Sequence, residues 1–99
     1  MENQRTNFTS QHLNPMEDPE ILSLLPAIEE QLSSHETPFV AEALTHLLEQ
    51  DDIEEEEAKY MLAFCLADEI EKMNREDRPF SIERYQILLN LLPALPESR

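Results

Sequence analysis

Six carboxylates crowd residues 51–57: Asp51, Asp52, Glu54, Glu55, Glu56 and Glu57, interrupted only by Ile53. Acids at that density could do one of two things, hold a divalent cation or meet a basic protein surface. The cation reading fails on spacing. An EF-hand loop needs oxygen ligands at alternating positions, a glycine at its sharp turn and a glutamate at the twelfth position, and this chain contains no glycine. Consecutive carboxylates on a helix also point in different directions. The cluster therefore reads as a partner-binding surface, or as a solvated helix start that the helix dipole stabilises.

The other residue types capable of chemistry are sparse. A di-iron bundle needs glutamate and histidine paired on facing helices, whereas Glu42 and His46, four residues apart, are a single pair. His12 has no second ligand near it, and His35 falls in a serine-rich loop where it reads as solvated. Cys65 lies among Leu62, Ala63 and Leu66, a setting that raises a thiol pKa, so a buried inert thiol is expected there and not a nucleophile. As the single cysteine it excludes an intramolecular disulfide and suits a reducing cytoplasm. No Ser or Cys stands beside a histidine base, and phosphate cradles need glycine. The expectation is a protein that is not an enzyme, with no catalytic, cofactor-binding or metal residues.

Charge is divided along the chain. Residues 1–58 carry fifteen acidic side chains against one base, Arg5, and residues 59–99 carry seven against six, within a formal net charge of -15. Such a surface repels the phosphates of a duplex, so direct nucleic-acid binding is not expected. The same charge would suit a nucleic-acid mimic that occupies the phosphate site of a basic protein. Crowded carboxylates should have raised pKa values when folded, so stability is expected to rise as pH falls from neutral.

These residues must be positioned by helices. A chain of 99 residues, 40% of them apolar, makes one domain with a modest core. Without glycine, tight hairpins are disfavoured, and Asn or Asp must serve where a helix ends in a left-handed residue. Residues 1–17 are polar and aperiodic, a flexible leader; residues 18–99 form the helical domain. Asp18 can cap and Pro19 can begin a first helix, carrying Ile21, Leu24, Leu25, Ile28 and Leu32 to about Ser33. Pro26 implies either a kink or a start near Ser23. Thr37 can cap a second helix beginning at Pro38, with Val40, Ala43, Leu44, Leu47 and Leu48 on one stripe and an end near Gln50.

A third helix should start at Asp51 or Asp52, where Asp52 and Glu55 resemble a capping box. Ala58, Leu62, Cys65, Leu66, Ile70 and Met73 form its stripe, but Tyr60, Phe64 and Ala67 recur on nearly the opposite side. That helix must be covered on two faces and should be the centre of the fold. Ser81 can cap a fourth, with Phe80 stapled to Tyr85, an inward stripe of Ile82, Tyr85, Leu89 and Leu92, and a stop at Pro93. The fold class is all-α, a small bundle or orthogonal array of about four helices.

Across residues 27–92, the Ala27-Ile28-Glu29-Glu30-Gln31 run, the Pro38 helix start, Leu47-Leu48, Glu57-Ala58 leading to Met61, Cys65-Leu66 with Glu69, Pro79-Phe80, Tyr85 and Leu88 to Leu92 carry a resemblance. With these residues the chain resembles a family of small bacterial helical proteins designated a domain of unknown function. Where that family has recurring histidines, this chain has Ile21, Leu25, Glu56 and Tyr60. The resemblance thus implies an all-helical fold, and brings neither an activity nor histidine-based metal chemistry.

The functional expectation is a non-enzymatic protein–protein interaction module whose acidic half meets a basic partner. A metal-dependent small bundle and an acidic nucleic-acid mimic are the alternatives. Tyr60, Phe64, Ile87 and Leu91, apolar positions to spare in the near-neutral half, are expected to support a homodimer. No stretch approaches the roughly 20 apolar residues of a membrane span, and a cytoplasmic protein is expected.

Overall fold

Asp18 and Pro19 begin the first helix as their types require. The Asp18 carboxylate accepts from the Glu20 amide at 2.9 Å, and Pro19 occupies the first turn of α1 (Pro19–Leu22). In this computed structural model, which describes residues 18–50 and 52–96, the four further helices are α2 (Leu25–Leu32), α3 (Pro38–Leu48), α4 (Glu55–Glu76) and α5 (Ile82–Leu91). The fold is all-α, and no strand occurs among the described residues. The expected leader, His12 and Asp51 lie outside the described residues.

The single first helix is broken in two. Ser23 and Leu24 separate α1 from α2, and Pro26 falls in the first turn of α2, where its missing amide removes no helical bond. Of the two sequence alternatives the start near Ser23 is the closer: the break lies at Ser23 and Leu24, and Pro26 follows it in place of kinking a continuous helix. Thr37 precedes Pro38 but does not cap with its side chain. Its hydroxyl donates instead to the Gln31 carbonyl at 2.8 Å, closing the turn between α2 and α3.

The third expected helix, α4, starts later than the acid run suggested. Glu54 is the N-cap, in extended conformation and without a side-chain cap bond, and Glu55, Glu56 and Glu57 fill the first turn. No Asp52–Glu55 capping box forms. Ile53, the one apolar residue in the run, packs against the core and draws residues 52–54 out of the helix. The three glutamates then meet the positive end of the helix dipole, which favours anions there by about 0.3–1 kcal/mol each.

At the other end of α4 the chain supplies the left-handed residue that glycine would usually provide. Asp77 adopts φ 54° and ψ 53°, and the Arg78 amide donates to the Met73 carbonyl at 3.1 Å, the six-to-one bond of a Schellman ending. Asp77→Gly removes the steric cost of a Cβ in that region at some cost in unfolded-state entropy. The variant should be more stable by about 0.5 kcal/mol, read as a higher urea midpoint. A lower midpoint would mean that the Asp77 carboxylate itself holds the turn.

All four other helices pack on α4, and α3 also packs on α2 and α5. This is the two-faced burial that the pattern of α4 demanded: Ala58, Leu62, Cys65 and Leu66 are buried on one side, and Tyr60 on the other. Ile21, Ile28, Val40, Leu47, Leu89 and Leu92 complete one core drawn from every helix and the residue after α5. Phe80 stacks edge-on against Tyr85 with ring centroids 5.6 Å apart, the staple expected at the start of α5. Ile82 departs from its expected inward place and is 46% exposed, while Leu88 is buried in its stead. Ile82 immediately follows the Ser81 cap, where the chain is still turning into the core.

Candidate partner-binding surface

The acids at the start of α4 are presented outward. Asp52, Glu54, Glu55 and Glu56 are exposed and Glu57 is half-buried. Lys59, the first base after Arg5 in the sequence, reaches back across them. Its ammonium lies 2.7 Å from a Glu29 oxygen on α2 and 3.1 Å from Glu55 one turn earlier, and these hydrogen-bonded carboxylates raise its pKa. Between α1, α2 and α4 this leaves an open cleft of about 590 Å³. Leu22, Leu25 and Tyr60 are its apolar lining, and Glu29, Glu55, Glu56 and Lys59 its charged lining.

Tyr60 is only 2% exposed, and its hydroxyl is enclosed without a hydrogen-bond partner. Burial raises the phenol pKa, and the Asp18 backbone approaches the hydroxyl without a bond of ordinary geometry. Phe64 is half-buried beside it, ring centroids 6.5 Å apart. Ile87 and Leu91, by contrast, are 58% and 59% exposed on α5. Of the four residues expected to support self-association, Tyr60 and Phe64 are thus buried and half-buried on α4, and Ile87 and Leu91 stand exposed on α5. Tyr60 and Phe64 line clefts that face α1, and Asp68, which pairs with Arg84 of α5, lines the same cleft as Phe64.

The pairs between α4 and α5 form the densest polar cluster among the described residues, and sequence reasoning missed them. Glu69 is fully buried on α4. One of its oxygens accepts from Arg78 Nη1 at 2.7 Å and from the Ser81 amide at 2.7 Å; the other accepts from Arg78 Nη2 at 3.1 Å and Arg84 Nη1 at 2.9 Å. Asp68, also buried, accepts from Arg84 Nη2 at 2.6 Å. Ser81 in turn accepts from the Arg84 amide as the N-cap of α5. Arg78, the Ser81 amide and Arg84 hold the Glu69 carboxyl down at about 2 against the opposing effect of burial. This cluster fixes the start of α5 against the middle of α4. A signal for it was present: acids at 68 and 69 in a helix apolar on two faces have little water to face and need cationic partners.

Glu76 is also displaced downward, first by Arg78. Glu69 and Glu76 thus move opposite to the rise expected of crowded carboxylates, because each sits against arginine and not against another acid.

Cys65 is buried, and burial, then Asp68, push its thiol up to about 12. It stays protonated at neutral pH. His35 is exposed, and His46 is exposed beside Glu42 in a shallow cleft with Phe39 and Leu89. Among the described residues no three His, Cys, Asp or Glu side chains converge as a metal site. No helix among them is long and apolar enough to cross a membrane. No family model, curated protein or solved structure matches the chain.

Proposed function

We propose that this protein is a non-enzymatic interaction module whose acidic face, centred on the start of α4, engages a basic protein partner. The observation that carries the reading is the outward presentation of Asp52, Glu54, Glu55 and Glu56 beside an open, partly apolar cleft. Structural capping accounts for less of this cluster than its composition implied, since none of these side chains makes a cap bond to α4. A net charge of -15 speeds encounter with a basic surface and makes it salt-dependent.

Association should slow by about tenfold when Glu54, Glu55 and Glu56 are all changed to Gln, and it should weaken steeply with salt. The test captures partners from the protein's own cell lysate on the wild-type chain and on the triple variant. Basic proteins retained by the wild type and lost by the variant support the reading. Equal retention by both removes the acidic face from it. Release of the captured proteins by duplex DNA would identify the chain instead as a nucleic-acid mimic.

A further inference from the structure

We infer that the cleft between α1, α2 and the first turns of α4 takes an apolar side chain from a basic segment of the partner, and that Lys59 occupies the carboxylates this segment must win. The inference rests on the interaction reading above and places it on particular atoms.

The cleft combines two chemistries that a surface seldom sets side by side without use. Leu22 is 40% exposed, an apolar side chain left uncovered where α1 breaks into α2. Leu25 and the ring of Tyr60 extend that apolar lining. At about 590 Å³ the cleft is of a size that holds a large side chain or a small ligand.

Charge complementarity selects the occupant. Glu29, Glu55 and Glu56 surround the apolar lining, so an entering segment is favoured when lysine or arginine flanks its apolar residue. Lys59 already bridges Glu29 and Glu55, which are 57% and 62% exposed. Lys59 is itself 21% exposed and its partners face water, so the bridge is weakened by solvent and an incoming guanidinium or ammonium can take the carboxylates over while the Lys59 side chain swings to solvent. The bridge thus lowers the affinity of every basic ligand by competition, a brake built from the chain's own cation.

Two fluorescent peptides of equal charge separate the possibilities, one of alternating lysine and leucine and one of lysine with serine in place of leucine. At low salt the lysine–leucine peptide should bind about tenfold more tightly, and Leu22→Ser should remove that advantage. Lys59→Met should tighten both peptides several-fold, with helicity by circular dichroism confirming that each variant is folded. If both peptides bind but Leu22→Ser and Lys59→Met change neither, the cleft is not the site and only diffuse charge attracts the partner. If neither peptide binds, the interaction reading falls and takes this inference with it. Sedimentation showing a dimer that Leu22→Ser dissociates would give the cleft to a second copy of the chain and overturn the basic occupant.

Discussion

Glu69→Ala should cost the fold about 1–3 kcal/mol, because it leaves the part-buried Ser81 amide without its acceptor and opens the contact between α4 and the start of α5. Against a total stability on the order of 5–15 kcal/mol for a domain of this kind, that loss is a substantial fraction. The cost comes mainly from the unpaired amide, since Arg78 keeps Glu76 and Arg84 keeps Asp68. A double-mutant cycle tests whether the cluster is coupled. Glu69→Gln combined with Arg84→Met should destabilise less than the sum of the two single changes, since the Glu69–Arg84 contact that each single change breaks is lost only once in the pair. Additive urea midpoints would mean that the cluster does not act as a unit.

The same carboxylate sets a pH dependence. Glu69 titrates at about 2 when folded against an ordinary value of 4.5, so its contribution is fully present above the unfolded value. It is lost as pH falls from about 5 towards 2. This is the reverse of the rise in stability on acidification that crowded carboxylates would produce. Urea midpoints measured from pH 7 down to pH 3 should therefore fall, and the Glu69→Gln variant should show a flatter profile.

Tyr85→Ala should be the most damaging substitution on α5, at about 3–5 kcal/mol, the range for truncating a buried aromatic side chain. Tyr85 is fully buried, with Phe39 and Phe80 edge-on at 5.9 and 5.6 Å. Its hydroxyl donates to Gln31 Oε1 at 2.7 Å, and the Gln31 carbonyl accepts from Thr37. One ring therefore joins the start of α5 to α3, and one hydroxyl joins it to α2. Tyr85→Phe keeps the ring and loses the hydroxyl, so it should cost about 1 kcal/mol. The two thermal midpoints separate packing from hydrogen bonding. If Tyr85→Phe cost as much as Tyr85→Ala, the link to Gln31, and not the ring contacts, would hold the helices together.

Much of this architecture was legible along the chain because it depends on local chemistry. Asp18, Pro19, Pro38, Ser81 and Pro93 mark boundaries through dihedral preference and side-chain hydrogen bonds within a few residues. Asp77 took the left-handed position because, without glycine, a short polar side chain is the next best occupant. The boundary at residues 51–55 misled for an equally local reason. Asp52 and Glu55 have the spacing of a capping box, but burial of Ile53 outweighs a bond worth about 1 kcal/mol.

The candidate surface was half legible. Outward acids follow from composition, yet their neighbour across the cleft, Glu29, lies thirty residues from Lys59 in sequence, and no periodicity links the two. Tyr60 shows the converse error. It was counted as surplus apolar surface because it lies opposite the main stripe of α4, and α1 and α2 cover it.

The sequence by itself determined the all-helical class, the place of α4 at the centre, the inert setting of Cys65 and the division of charge between the two halves. Each follows from spacing, side-chain type or a count, and none needs to know which helix meets which. Tertiary structure alone decided the pairing of Glu69 and Asp68 with Arg78 and Arg84, the burial of Tyr60 while Ile87 and Leu91 stay exposed, and the bridge of Lys59 to Glu29. Those contacts depend on how five helices close around α4, and closure is set by the shapes of buried side chains from distant segments acting together.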